Sequence, residues 1–259
     1  MDKLKFALGP YEVLASIIGG SPLVLAIFLL YNPSGSLQNT FLNIKDELSL
    51  TFVFLTGFCS YILGGTIQGI TWKYFLLLCR VFRQDYRYFG NMIGVRDTAI
   101  AQMPEPVAVK TLDFEDKLVL RLREKIGIPE KQRWMNARLS AYLKAYGSEA
   151  VATSESYLAS HIMHRNLSFG FLLLPVAILV NFLQSGFSFE RILLVLLFLF
   201  LSYVSFFRSL SFKKWQNREL LLGFYSSTEK SAQDADVQNC STVLILFLRA
   251  GFHNTAKPF

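Results

Sequence analysis

Read for the spacing of its apolar residues, the chain carries four windows nearly free of charge: 11–31, 50–71, 167–184 and 192–208. Each is about as long as a helix must be to cross a hydrocarbon core of ~30 Å. The stretch from Ile192 to Phe207 is apolar all the way round, whereas a water-facing core helix would set polar residues opposite its buried stripe. The pattern predicts an all-α integral membrane protein, with four transmembrane helices arranged as two hairpins and a cytosolic helical insertion between them. The first apolar stretch follows Met1-Asp-Lys-Leu-Lys5 as a signal peptide would. It runs past Leu30 without a small-x-small cleavage site, so it is expected to remain as a span.

Between the hairpins the period changes. Residues 94–112 contain Met103-Pro-Glu-Pro106 and read as a linker, because a residue preceding proline is pushed out of the helical region. Asp113 and Asp116 resemble a helix start, and Phe114, Leu118, Leu122 and Ile126 recur at helical spacing until Gly127. Leu118, Leu120 and Leu122 also alternate, which leaves a strand as the alternative there. Pro129 suits the first turn of a helix carrying Trp134, Leu139, Tyr142 and Tyr146 to Gly147. A last helix, from Ser148 to about Asn166, leads without a breaker into the third span. Residues 226–239 are polar and turn-like, and Val243–Leu248 is too short to span a membrane. The organisation expected is a first hairpin with its juxtamembrane helix over 1–90, a helical module over 91–166, a second hairpin over 167–225, and a cytosolic tail over 226–259. Both hairpins open on a span with an interior proline, Pro22 and Pro175, an echo that coincidence accounts for.

Composition agrees with this reading: 52% of the 259 residues are hydrophobic, above the usual range of a soluble domain. The net charge of +7 then takes on a membrane meaning. Lys3, Lys5, Lys73, Arg80, Arg83, Arg87, Arg96, Arg165, Arg208, Lys213, Lys214 and Arg218 flank one set of span ends, and only Lys45 and Arg191 flank the other. Positive residues collect on the cytosolic side, so both termini and 72–166 are expected there, in the plasma membrane (the inner membrane of a bacterium). Nucleic acid is excluded as a partner because no recognition motif accompanies the basic residues. Cys59, Cys79 and Cys240 form no paired motif and are expected as reduced thiols.

The candidate chemistry is sparse. Ser60-x-x-x-Gly64 and Gly65-x-x-x-Gly69 place small residues four apart on the second span, where they allow a second helix backbone to approach closely. Lys73, Arg80, Arg83 and Arg87, and later Lys213, Lys214 and Arg218, lie among aromatic residues just beyond a span. That composition predicts a helix lying on the anionic inner leaflet, its basic side chains reaching the headgroups; the alternative is a helix protruding into the cytosol. Tyr157 and Arg165 read as headgroup anchors. His161 and His164 have the i,i+3 spacing that can share a metal, yet the only further histidine is His253, so no metal site is expected. No nucleophile elbow, phosphate loop or zinc motif is present, no catalytic residue is assigned, and no cofactor is expected. Apart from Arg208 at the very end of the fourth window, Glu12, at a first turn, is the only Asp, Glu, Lys, Arg or His in the four windows, which argues against proton-coupled transport.

These features predict a non-enzymatic membrane protein that self-associates through its spans into a homo-oligomer and presents its helical module to a cytosolic protein partner or signal. One alternative is an oligomeric pore lined by Gln68, Asn181, Ser202 and Ser205. Another is a membrane-embedded enzyme acting on lipid at the inner leaflet.

Overall fold

The structure, a computed structural model, describes residues 10–31, 49–86, 113–128, 134–185 and 189–252, with side chains over 12–31, 49–86, 113–128, 134–180 and 189–229. Among these residues there are seven helices and no strand: α1 (Pro10–Tyr31), α2 (Leu50–Thr66), α3 (Gln68–Val81), α4 (Phe114–Lys125), α5 (Met135–Ala145), α6 (Ala150–Ser185) and α7 (Phe189–Phe252). Three stretches, Glu12–Tyr31, Ala150–Val180 and Phe189–Glu229, are long and apolar enough to cross a membrane. A fourth exists if α2 and α3 together form one span, bent by 59°.

The chain divides into two compact units, Met1–Tyr88 with Thr153–Gln216 and Phe89–Ala152 with Asn217–Phe259. Residues 153–166 thus group with the apolar helices and 217–225 with the second unit, whereas the hydropathy pattern alone put those boundaries at 166 and 225.

In the first unit, small residues let helices meet backbone to backbone. α1 packs along α2: a Cβ added at Gly20 would strike the Ser60 carbonyl, and one at Gly64 would strike the Ser16 carbonyl. The next α1 glycine, Gly19, faces α6, where an added Cβ would lie 2.8 Å from Asn166 Cβ. Ala26, Leu174 and Ala177 extend that seam into an apolar cluster. The opposite faces are apolar as well: Leu14, Ile18, Phe54, Phe58, Leu196 and Phe200 are all exposed. Apolar faces of this kind suit hydrocarbon better than water.

Local signals set the helix ends. Ser49 is extended and its hydroxyl accepts from Phe52 N–H at 3.2 Å, capping α2. α3 closes with Gln84 N–H on Cys79 O at 2.8 Å, a turn that forces Arg83 into the left-handed region at φ 50°.

The second unit has its own core, in which Leu118, Val119 and Leu122 of α4 meet Met135, Leu139 and Leu143 of α5, Val151 of α6, and Leu220, Leu221 and Phe224 of α7. Their three- and four-residue spacing resolves 114–126 as helix rather than strand. Gly127 and Gly147 stop α4 and α5 at φ 72° and 64°, where a side chain would be strained. α5 begins at Met135, and the Pro129 start expected for it lies outside the described residues. The expected turn over 226–239 is instead the continuation of α7: polar residues there replace apolar ones, but no proline or glycine interrupts them. Thr228 is tied in by its own hydroxyl on Tyr225 O at 2.8 Å and by Arg121 Nη1 at 3.3 Å.

Candidate functional site at the bend between α2 and α3

Helix α2 is weakened near its end by Gly64 and Gly65, which add backbone freedom without side-chain packing. Ile67 carries the turn: its N–H still reaches Leu63 O at 3.1 Å and its carbonyl accepts from Thr71 N–H at 2.9 Å, while the helix axis swings by 59°. Side chains from α6 complete the backbone at this point. Asn166 Nδ2 donates to Gly64 O at 3.0 Å, and Arg165 Nη2 donates to Gln68 O at 3.4 Å. A side chain inserted into the backbone ladder is a recognised cause of a sharp bend.

The two α6 residues are themselves joined through α3. Thr71 Oγ1 donates to Asn166 Oδ1 at 2.8 Å and accepts from Arg165 Nε at 3.1 Å. Thr71 and Asn166 are fully buried and Arg165 is 7% exposed. The guanidinium also lies over the Trp72 ring, 5.5 Å from its centroid. Among the described residues, Arg165 has no carboxylate partner; its contacts are a hydroxyl, a carbonyl and an aromatic face. Lys213 of α7 is likewise held by an amide, its Nζ donating to Gln216 Oε1 at 2.7 Å.

Two further polar clasps join α6 to α7. Ser168 Oγ donates to Ser202 O at 2.8 Å, Ser202 Oγ donates to Ser168 O at 2.7 Å, and Tyr74 OH lies 3.3 Å from the Ser202 hydroxyl. His161 Nδ1 sits 3.0 Å from Ser209 O and 2.8 Å from Ser209 Oγ. Only an Nδ1–H can bond the carbonyl, so the proton is assigned to Nδ1. The ring is edged by Trp72 and Phe75, and its Nε2 has no partner. His164 stacks on Phe212 with centroids 5.4 Å apart. Among the described residues no group of three His, Cys, Asp or Glu side chains is placed to hold a metal.

The residues singled out from sequence are distributed as follows. Ser60 and Gly64 abut α1, whereas Gly65 and Gly69 are exposed and a Cβ at either would meet nothing within 4 Å. Gln68 is half-buried with its carbonyl on Arg165, Ser202 and Ser205 are buried, and the Asn181 side chain lies outside the described residues. Lys73, Arg80 and Arg83 are exposed, Lys213 and Lys214 half-buried, and Arg218 exposed in the second unit; Arg87 lies outside the described residues. Arg165, read as a headgroup anchor, is instead buried against the bend. Asn166, Thr71, Ser168 and Ser209 were not singled out at all. Their one signal is polarity at the edges of apolar windows, a signal shared with many residues that do nothing more than face water.

Comparison with family models, with curated proteins and with solved structures finds no match.

Proposed function

We propose that the chain is a non-enzymatic multi-pass membrane protein that associates with further copies of itself through the outward face of α2. It presents the second, helical unit to a partner or signal in the cytosol. The observation that carries this reading is the unequal use of the two small-residue pairs: α1 fills Ser60 and Gly64, while Gly65 and Gly69 stay open beside the exposed Ile62 and Ile70. Small open positions among apolar ones are what a second helix needs for close approach in lipid. The Lys/Arg bias supports placing both termini in the cytosol of a plasma membrane, with Lys73, Arg80 and Arg83 against anionic headgroups. The pore reading is less well supported, because the Ser202 hydroxyl that would line a path is already spent on Ser168.

The test is the oligomer size of the full chain in detergent micelles or nanodiscs, measured by mass photometry. Gly65→Leu and Gly69→Leu are expected to shift the population toward monomer, with Gly→Ala doing less. Unchanged size in both leucine variants, or a monomeric wild type, would sink the reading. A steady conductance in liposomes would replace it with the pore.

A further inference from the structure

The Ser168–Ser202 and His161–Ser209 clasps step along the α6–α7 pair, and the next contact in that register is aromatic. Tyr157 of α6 meets Phe212 and Trp215 of α7, with ring centroids 6.3 and 5.8 Å away. Phe212 and Trp215 are 5.3 Å apart and edge to face, and His164 stacks on Phe212. The guanidinium of Arg208 lies over both α7 rings, 4.9 Å from the centroid of Phe212 and 5.4 Å from that of Trp215. All of these residues belong to the first unit, and Arg208 and Trp215 are exposed. The rings engage the cation by their faces. Among the described residues Arg208 has no hydrogen bond and no carboxylate partner, so its N–H donors, five in a guanidinium, are open to an acceptor.

We propose that Arg208, held over Phe212 and Trp215, binds the phosphate of one anionic phospholipid in the leaflet at this end of the spans. The apolar window that starts at Ile192 closes at Arg208, and Phe212 and Trp215 follow one and two turns later. Tryptophan, tyrosine and arginine gather at that depth, beside the headgroups. A guanidinium takes phosphate oxygens two at a time, and the rings hold it in place beforehand, which lowers the ordering cost of the bond. A zwitterionic headgroup brings its own cation, whereas an anionic one leaves its charge for Arg208. The acyl chain has a track as well. Leu196, Phe200 and Val204 are exposed at four-residue spacing and lead to Arg208. That stripe is about 18 Å long at 1.5 Å per residue, close to one leaflet's half of a ~30 Å core. The site rests on the membrane reading but not on self-association, since α6 and α7 carry it and the face assigned to a second copy is on α2.

The experiment uses the full chain, delipidated in a neutral detergent and followed by native mass spectrometry during titration with phosphatidylglycerol or phosphatidylcholine. One phosphatidylglycerol is expected to bind at least about tenfold more tightly than phosphatidylcholine, the worth of one charge-assisted hydrogen bond. Arg208→Gln should abolish that preference. Arg208→Lys keeps the charge without the fork, and Trp215→Leu removes a ring from the guanidinium; each should lower the preference severalfold. Arg80→Gln removes an exposed charge of α3 outside the patch and should lower it far less. Because Arg208 is exposed, its variants are expected to fold as the wild type does. Equal losses in Arg80→Gln and Arg208→Gln, or a wild-type preference in Arg208→Gln, overturn the site. Oligomer size is read in the same spectra, so a failure of the α2 interface is seen separately from a failure of the lipid site. A chain that stays dispersed without detergent would remove the membrane reading, and the site with it.

Discussion

Asn166 of α6 donates its amide N–H to the carbonyl of Gly64 in α2, so one helix supplies the hydrogen bond that another lacks where it bends. With both groups buried, removing the donor leaves a carbonyl with no water to turn to.

Asn166→Ala is therefore expected to lower the unfolding free energy by about 1–2 kcal/mol, near the upper end for polar pairs within membranes. Asn166→Asp should be no better, since it keeps the acceptor for Thr71 and loses the donor for Gly64. Thermal denaturation of the purified protein reads both. An aspartate variant as stable as wild type would show that Gly64 O is satisfied in another way.

The two sides of the α1–α2 seam should be equally intolerant. Gly20→Ala and Gly64→Ala each drive a methyl group into a carbonyl of the opposing helix, and overpacking of this kind costs about 1–3 kcal/mol. Gly65→Ala has open space and should be neutral or slightly stabilising, because alanine is the better helix former. A melting series across the three variants checks the order.

Arg83 holds a left-handed backbone that a side chain disfavours. Arg83→Gly is expected to raise stability by up to about 1 kcal/mol, while Arg83→Ala gains nothing. Measured in neutral detergent, the comparison is free of any headgroup contact.

Tyr142 lies 4.7 Å, centroid to centroid, from Tyr146. Burial, followed by a hydroxyl hydrogen bond with Tyr146, pushes its pKa up from 10.0 to about 12. The folded state thus prefers the neutral phenol. The stability it contributes is complete below pH 10 and disappears as pH rises through about 12. The wild-type minus Tyr142→Phe tyrosinate absorbance should rise near pH 12, and Tyr146→Phe should move that rise downward.

The proposed orientation places 32–49 and 185–191 outside the cell. Cysteines introduced at Ser36 and Ser188 should react with an impermeant thiol reagent on intact cells while Cys240 stays unlabelled. Labelling of Cys240 instead would invert the topology.

The helices were largely legible because each announces itself locally: apolar length for α1, α2 and α6, and glycine stops for α4 and α5. The bend was not, since apolar residues continue through Ile67 and the glycines at 64, 65 and 69 read as a packing seam rather than as a change of direction. The long reach of α7 was missed for a related reason: polar residues over 226–239 resemble a turn until the absence of any breaker is weighed. Arg165 and Asn166 were hidden by their position. A basic residue at the head of an apolar run is usually an anchor, and only the arrival of Thr71 and Gly64 from sequence positions about a hundred residues away gives it an internal role. Long-range partners of that kind leave no trace in the spacing of one segment.

The length of α2 also bears on the bilayer that would suit this protein. Its 17 residues rise only about 25 Å at 1.5 Å each, short of a hydrocarbon core of ~30 Å. Were α2 to cross a bilayer, the membrane around it would thin locally, or the first turn of α3 and the Arg165 clasp would be drawn below the headgroups. In either arrangement the hydrophobic mismatch would fall on this helix, so acyl-chain length would be a variable for the bend, with short-chain lipids relieving the mismatch where long-chain lipids increase it.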